Sequence, residues 1–185
     1  MKYVVAMTGA SGAVYGIRLL ESLPGERTLV MSHMAEQVLP AETDFTVEDV
    51  RAKADAWHSD DDMFAPIASG SHRYDAMFVA PCSESTVAKI ANGIADTLIT
   101  RAAAVCIKEG RRLILLVRET PKSAIMLENE LRLARLGVSI VDANPGFYSR
   151  PETLDDVINI VVGRCMDQAG VDSGMFRRWG SEEYQ

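Results

Sequence analysis

Two rhythms of apolar positions run through this chain. Tyr3 to Met7, Arg27 to Met31, Ala76 to Ala80, Arg112 to Val117 and Val138 to Val141 are short, nearly unbroken apolar runs. Runs of that length without polar alternation predict strands buried on both faces, as in a parallel sheet. Between them, apolar residues recur at helical spacing. Ile17, Leu20 and Leu23 mark the first helix, and Ser32 to Glu42 has helical character up to Pro40. Residues 46–57 carry Val47, Val50 and Ala54 at helical spacing, with Thr46 and Asp49 as a capping pair. Val87 to Ala91 stops at Gly93, Asp96 to Lys108 aligns Leu98, Ile99, Ala102 and Val105, and Ser123 to Leu136 closes at Gly137. The last helix, Thr153 to Ala169, opens on Thr153 and Asp156 and buries Val157, Ile160, Val161 and Cys165.

Strands alternating with helices predict an α/β fold: a three-layer sandwich around a mostly parallel sheet, flavodoxin-like or Rossmann-like. No linker, repeat or low-complexity tract interrupts it, so residues 1–185 are expected to form a single domain, with a tail from about residue 170. His58 to Ser71, acidic and then rich in small residues, reads as a long loop able to close over a ligand.

The strand ends carry the first hints of chemistry. Thr8-Gly9-Ala10-Ser11-Gly12 is a tight strand-to-helix turn that aims free N–H groups and a helix dipole at one point. From this stretch, a phosphate site and a plain turn in which Ser11 caps the helix both remain open. Neither the dinucleotide fingerprint nor a P-loop spacing is present. Pro81-Cys82-Ser83-Glu84-Ser85-Thr86 is a second such turn, and one ligand could touch both. Ser32, at the end of the second strand, suits either a ligand or the cap of the next helix. Arg118 and Glu119 follow a central strand directly, an expensive place for charge unless it is used. Arg101 and Lys108 lie two turns apart on one helix face, where a basic pair is most often simply solvated. Arg164 lies near a helix carboxyl end, where cations favour the dipole, and Trp179 suits packing on the body or on a neighbouring subunit.

Composition narrows the field. The net charge of −7 argues against a nucleic-acid partner, whose phosphates need clustered cations. No apolar run reaches spanning length and no signal-peptide pattern opens the chain, so no membrane association and a cytoplasmic location are expected. Cys82, Cys106 and Cys165 are odd in number and far apart, and His33, His58 and His72 show no ligand spacing, so neither a disulfide framework nor a metal site is expected.

Together these turns resemble the UbiX-type flavin prenyltransferases, formerly described as phenylacrylic or polyprenyl-hydroxybenzoate decarboxylases. The resemblance runs from Tyr3 to about Gly180 and rests on ordered pieces. They include Met7-Thr-Gly-Ala-Ser-Gly12, Ala41-Glu42-Thr43-Asp44, Ala68-Ser-Gly-Ser71, Pro81-Cys-Ser83 with Thr86, and Thr100-Arg101-Ala-Ala103. Lys108-Glu109, Val117-Arg118-Glu119-Thr120-Pro121, Pro145-Gly-Phe-Tyr148 and Leu154-Asp-Asp-Val157 complete them. The family transfers a dimethylallyl group from dimethylallyl monophosphate to N5 and C6 of reduced FMN, making prenylated FMN for a partner decarboxylase. Carried over by position, the resemblance implies FMN contacts at Gly9, Ala10, Ser11, Ser32, Ser83, Glu84, Ser85, Thr86 and Arg118. It places Arg101, Lys108, Glu119, Tyr148, Arg164 and Trp179 around the prenyl phosphate. Ser11, Glu42, Lys108 and Glu119 are the implied catalytic set, without metal. A homo-oligomer is implied, with a dodecamer as one candidate.

Two departures stand out. Asp62-Met63-Phe64 lies where relatives often place a tryptophan or another aromatic residue to shelter the prenyl group. Glu84-Ser85 lies where many carry neutral or basic residues, so Glu84 is expected to point outward and pair with Lys89. Two rival readings remain. The stretch Ala91-Asn-Gly-Ile-Ala-Asp96 also resembles flavin-dependent cysteine decarboxylases, but Ala65-Pro-Ile-Ala-Ser69 lacks their histidine. The other is a non-catalytic flavin-binding protein.

Overall fold

Six strands make one sheet: β1 (Lys2–Met7), β2 (Glu26–Met31), β3 (Ala56–Ser59), β4 (Ala76–Cys82), β5 (Arg112–Val117) and β6 (Ser139–Asp142). Their order in this computed structural model, which describes residues 1–180, is β3-β2-β1-β4-β5-β6. Every neighbouring pair is parallel. That is the Rossmann order, and its direction reverses between β1 and β4, where the carboxyl ends of the strands leave a crevice. The last five residues of the expected domain and tail lie outside the described residues.

Strand pleating divides the core in two. Tyr3, Val5 and Met7 of β1 and Phe78 of β4 face α1 (Ala13–Ser22), α2 (His33–Glu42) and α7 (Leu154–Gln168). Val4 and Ala6, with Met77 and Val79, face α4 (Glu84–Ala91), α5 (Leu98–Lys108) and α6 (Ala124–Arg135). Every residue of β4 is buried, the result of its continuous apolar run. Each Leu, Ile or Val so buried contributes roughly 1.5–3 kcal/mol, so these two layers hold the strand ends that present the site.

The expected five-stranded sheet has a sixth member. Only Val47–Arg51, here α3, is helical within 46–57; the chain then turns and runs as β3 along the outer edge of β2. Asp55 accepts the N–H of Arg27 at 2.7 Å while its own N–H donates to the Arg27 carbonyl, so the ladder is seeded by a tertiary contact. Ala56–Ser59 is mostly exposed and carries no apolar run. Trp57, half exposed, is covered by the Arg51 guanidinium 4.0 Å from its ring. The loop expected over 58–71 therefore begins after Ser59 and contains a short 3₁₀ turn, Pro66–Ala68.

At the far side, Phe176 of the tail packs on α7 where Gly163 leaves room; a β-carbon there would lie 2.6 Å from its ring. No helix among the described residues is long and apolar enough to cross a membrane.

Candidate functional site

Thr8 joins the two small-residue turns. Its hydroxyl donates to the Pro81 carbonyl at 2.9 Å and accepts the Ser83 N–H at 2.8 Å, and its own N–H also donates to Pro81. The carboxyl ends of β1 and β4 thus form one continuous floor. Thr8 is 3% exposed, so these bonds are made out of water and fix the geometry firmly.

The amino end of α1 is already neutralised by the protein. Gly12 is its cap, at φ 106°, and makes no side-chain cap bond. Instead the Glu42 carboxylate accepts the N–H groups of Gly12 at 2.8 Å and Ala13 at 3.0 Å. Burial works most strongly against the charge on Glu42. Hydrogen bonds from the Ser11 side chain and these two N–H groups, with Arg118 nearby, outweigh it and hold the carboxyl below its ordinary value. Of the two readings left open for this turn, the helix cap by Ser11 is therefore replaced by Glu42, which occupies the Gly12 and Ala13 N–H groups that a phosphate would use there. Ser11 itself sits between two partners: its hydroxyl bonds Glu42 and its carbonyl accepts from Arg118 Nε at 3.2 Å.

A second helix start remains open to an anion. Ser83 caps α4 by accepting the Thr86 N–H. The first turn of α4 opens onto a hollow of about 520 Å³ lined by Thr8, Gly9, Ser32, Ser83, Ser85 and Thr86. Ser32 both lines this hollow and caps α2, bonding the Ala35 N–H at 3.1 Å, so its two candidate roles coexist. The hydroxyls and free helix N–H groups suit a phosphate, and the volume suits a mononucleotide-sized ligand. The residues present therefore fit FMN. Glu84 does not pair with Lys89 as expected. Lys89 reaches Asp96 at 2.8 Å, while half-buried Glu84 accepts from Ser123 of α6 at 3.4 Å. Asp96 is the nearer partner because it lies just beyond the end of α4.

Sequence reasoning missed part of this wall. His33, Met34, Asp60 and Thr97 also line it. Asp60 follows the overlooked edge strand and accepts the Ile99 N–H at 2.8 Å, and its burial raises its carboxyl above the ordinary range. It lies in the loop expected to close over a ligand, but nothing in that acidic stretch singled Asp60 out from its neighbours.

Arg118 and Glu119 stand half-buried beyond β5, beside a hollow of about 530 Å³ that also contains Lys122, Glu130, Asp142 and Asn144. Tyr148 and Trp179 meet edge to face, ring centroids 5.9 Å apart. Arg164 lines a neighbouring hollow with Asp142 and Asn144 and pairs with Asp167 at 2.8 Å. Gly9, Ala10, Ser11, Ser32, Ser83 to Thr86 and Arg118 thus come together at the carboxyl edge, Glu119 follows Arg118 there, and Arg164 lies farther down α7.

Arg101 and Lys108 lie elsewhere. α5 starts at the carboxyl edge, where the Leu98 N–H donates to the Asp60 carbonyl, and runs down to Lys108 shortly before β5 begins. There Lys108 pairs with Glu109, which borders Lys2 and Asp75 at the opposite edge of the sheet. Arg101 points its Nε at the Ala68 carbonyl. One chain does not bring Lys108 to Ser11.

Comparison with known proteins fits this geometry. Residues 1–166 match the flavoprotein family. The flavin prenyltransferase UbiX of Thermoplasma acidophilum is 48% identical over 97% of this chain and all of its own length. The crystal structure of AnUbiX (PadA1) with FMN and dimethylallyl pyrophosphate superposes with a TM-score of 0.95, at 46% identity over 97% of both chains. The chain belongs to the UbiX family of flavin prenyltransferases. A dodecameric FMN-dependent UbiX-like decarboxylase from Escherichia coli O157:H7 shares 48% identity and a TM-score of 0.95, covering 98% of this chain and all of that one. Against this close family likeness, the cysteine decarboxylase TvaF has only 17% identity and TM-score 0.64, a likeness of fold alone.

Proposed function

We propose that this chain transfers a dimethylallyl group from dimethylallyl monophosphate to reduced FMN, making prenylated FMN for a partner decarboxylase. The observation that carries the reading is the convergence of the β1 and β4 turns with Arg118 and Glu119, with Ser11 held between Glu42 and Arg118. Ser83, Ser85 and Thr86 would hold the FMN phosphate, and Gly9 and Ala10 would let the backbone approach the ligand. Reduced FMN supplies the electron-rich ring positions that accept the prenyl group.

Breaking an allylic carbon–oxygen bond puts negative charge on phosphate and positive charge on the allyl group. The first needs cationic donors and the second a π-rich, dry wall. Arg164, Lys108 and Arg101 with the Tyr148 hydroxyl suit the phosphate; the Tyr148 and Trp179 rings suit the allyl group. Glu119 would relay a proton to the leaving phosphate, and Ser11 would help remove one at the acceptor, oriented by Glu42. Since α5 carries Lys108 to the opposite edge of the sheet and Arg101 turns aside to the Ala68 carbonyl, a neighbouring copy supplies them. The working form is therefore a homo-oligomer, for which the dodecameric relative is the candidate arrangement. The described fold is in keeping with a single flavin-binding domain over residues 1–185, and the absence of a spanning helix among the described residues with a cytoplasmic location.

Anaerobic incubation with reduced FMN and dimethylallyl monophosphate tests the reading. A changed flavin spectrum and a flavin heavier by one prenyl group are expected. Flavin bound with no gain in mass would leave a carrier and defeat the enzyme.

A further inference from the structure

Lys122 plays no part in the chemistry above, yet it is the most enclosed lysine around the site. Its Nζ lies 2.8 and 3.1 Å from the two carboxylate oxygens of Glu130 on α6, and it also bonds Asp142 at the end of β6. Glu130 is 8% exposed and the Lys122 side chain 17%. Burial works most strongly against the ammonium charge, but the bonds to Asp142 and Glu130 overcome it and raise its pKa. Buried ion pairs add little net stability over well-packed apolar groups, so such a group is better explained by the arrangement it specifies.

The arrangement is a closed span. Asp142 is the ladder partner of Val117, the residue immediately before Arg118, and the Ala143 N–H donates to the Val117 carbonyl at 3.0 Å. Backbone pairing with β6 therefore anchors the amino end of segment 118–121, and the Asp142 carboxylate anchors its other end through Lys122. Glu130 fixes the same ammonium to α6. Between the anchors stand Arg118, Glu119, Thr120 and Pro121, whose ring removes further backbone freedom. Arg118, Glu119, Lys122, Glu130 and Asp142 border one hollow.

We propose that Lys122, bridging Glu130 and Asp142, is a positioning residue for Glu119. It pins the far end of the four-residue span and so sets where the Glu119 carboxylate stands relative to the reacting groups. The proposal rests on the role given to Glu119 above. A misplacement of about 1 Å at a reacting group can cost up to a hundredfold in rate, so a loosened span should act on kcat and leave binding nearly intact.

The test compares Asp142→Ala, which cuts only the β6 anchor at a half-exposed side chain, with Lys122→Met/Glu130→Met, which removes the buried charges as a pair. Both are measured for kcat, donor KM, FMN affinity and Tm, beside Lys122→Arg and Glu119→Gln. We expect kcat to fall by about tenfold or more in the first two, with KM, FMN affinity and Tm near parental, and Lys122→Arg to retain most of the rate. A parental kcat in Asp142→Ala, while Glu119→Gln is inactive, overturns the positioning role and leaves the proposed function standing. Parental turnover by Glu119→Gln removes the role of Glu119 and this inference with it. Should the double variant not fold, Asp142→Ala decides alone.

Discussion

Glu42 Oε2 accepts the Gly12 N–H at 2.8 Å, so a carboxylate from the end of α2 caps the helix that follows the first strand. The contact ties two segments thirty residues apart and presents Ser11 on top of them. Because this carboxyl is held below its ordinary value, the sign of its effect on stability is determined. Its contribution is complete above the ordinary carboxyl pKa of about 4 and is lost as pH falls through the lower folded value. Thermal melts from pH 7 to pH 3 should show Glu42→Gln trailing the parent at neutral pH and converging with it in acid. A gap that stays constant would mean the charge adds nothing. Glu42→Ala, which loses the cap outright, should cost about 1 kcal/mol at pH 7.

Lys108 and Glu119 lie at opposite edges of the sheet in one chain, yet the proposed chemistry uses both. If neighbouring copies complete each site, Lys108→Ala and Glu119→Gln are each inactive alone but complement one another in mixed oligomers. Random assembly at equal amounts pairs an intact Lys108 with an intact Glu119 in about a quarter of sites. Co-refolded or co-expressed mixtures should regain activity near that fraction. Mixtures as silent as either parent would place the whole site within one chain.

How much of this was legible in the sequence follows from the range of each interaction. The apolar runs of β1, β2, β4, β5 and β6 predict the parallel sheet because burial on both faces is written into them. β3 escaped because Ala56–Ser59 is exposed and held by pairing with β2 and by Asp55 on Arg27. The Thr46 and Thr153 capping boxes, by contrast, are local and stand where their spacing predicts. Within the site, Ser83 to Thr86 was readable as a turn opening a helix. Glu42 on Gly12 and Lys122 between Glu130 and Asp142 join distant segments, and no local pattern announces either. Lys108 and Arg101 were readable only as a basic pair, since helix spacing does not tell which edge of the sheet a helix end will reach.

Cys82, Cys106 and Cys165 are all buried, and burial is the first cause raising each thiol: Cys106 to about 11, Cys165 to about 12 and Cys82 beyond them. Thiolate is the reactive form, so at pH 8 only about one Cys106 in a thousand would be ionised even if reagent reached it. Ellman's reagent should find essentially no thiol in the native protein at pH 8 and all three after denaturation. Rapid reaction of one thiol in the native state would mean that its layer of the core opens readily.

Gly16 is a tighter test of how α1 is seated. A β-carbon at this position would lie 2.4 Å from the Ala80 carbonyl oxygen and 2.7 Å from Met7 Cγ. Alanine improves helix propensity by about 1 kcal/mol, whereas forcing a methyl into a packed interface costs about 1–3 kcal/mol. The carbonyl belongs to a buried strand and cannot swing away as a flexible side chain would, so the clash should win. Gly16→Ala is therefore expected to lose up to about 2 kcal/mol in denaturant unfolding, lowering Tm by up to several degrees. Because α1 carries Gly12 and Ala13 against Glu42, its displacement should also weaken FMN binding. Unchanged or greater stability in Gly16→Ala would show that α1 can shift without cost, and that the close approach at Ala80 is not what seats the first turn.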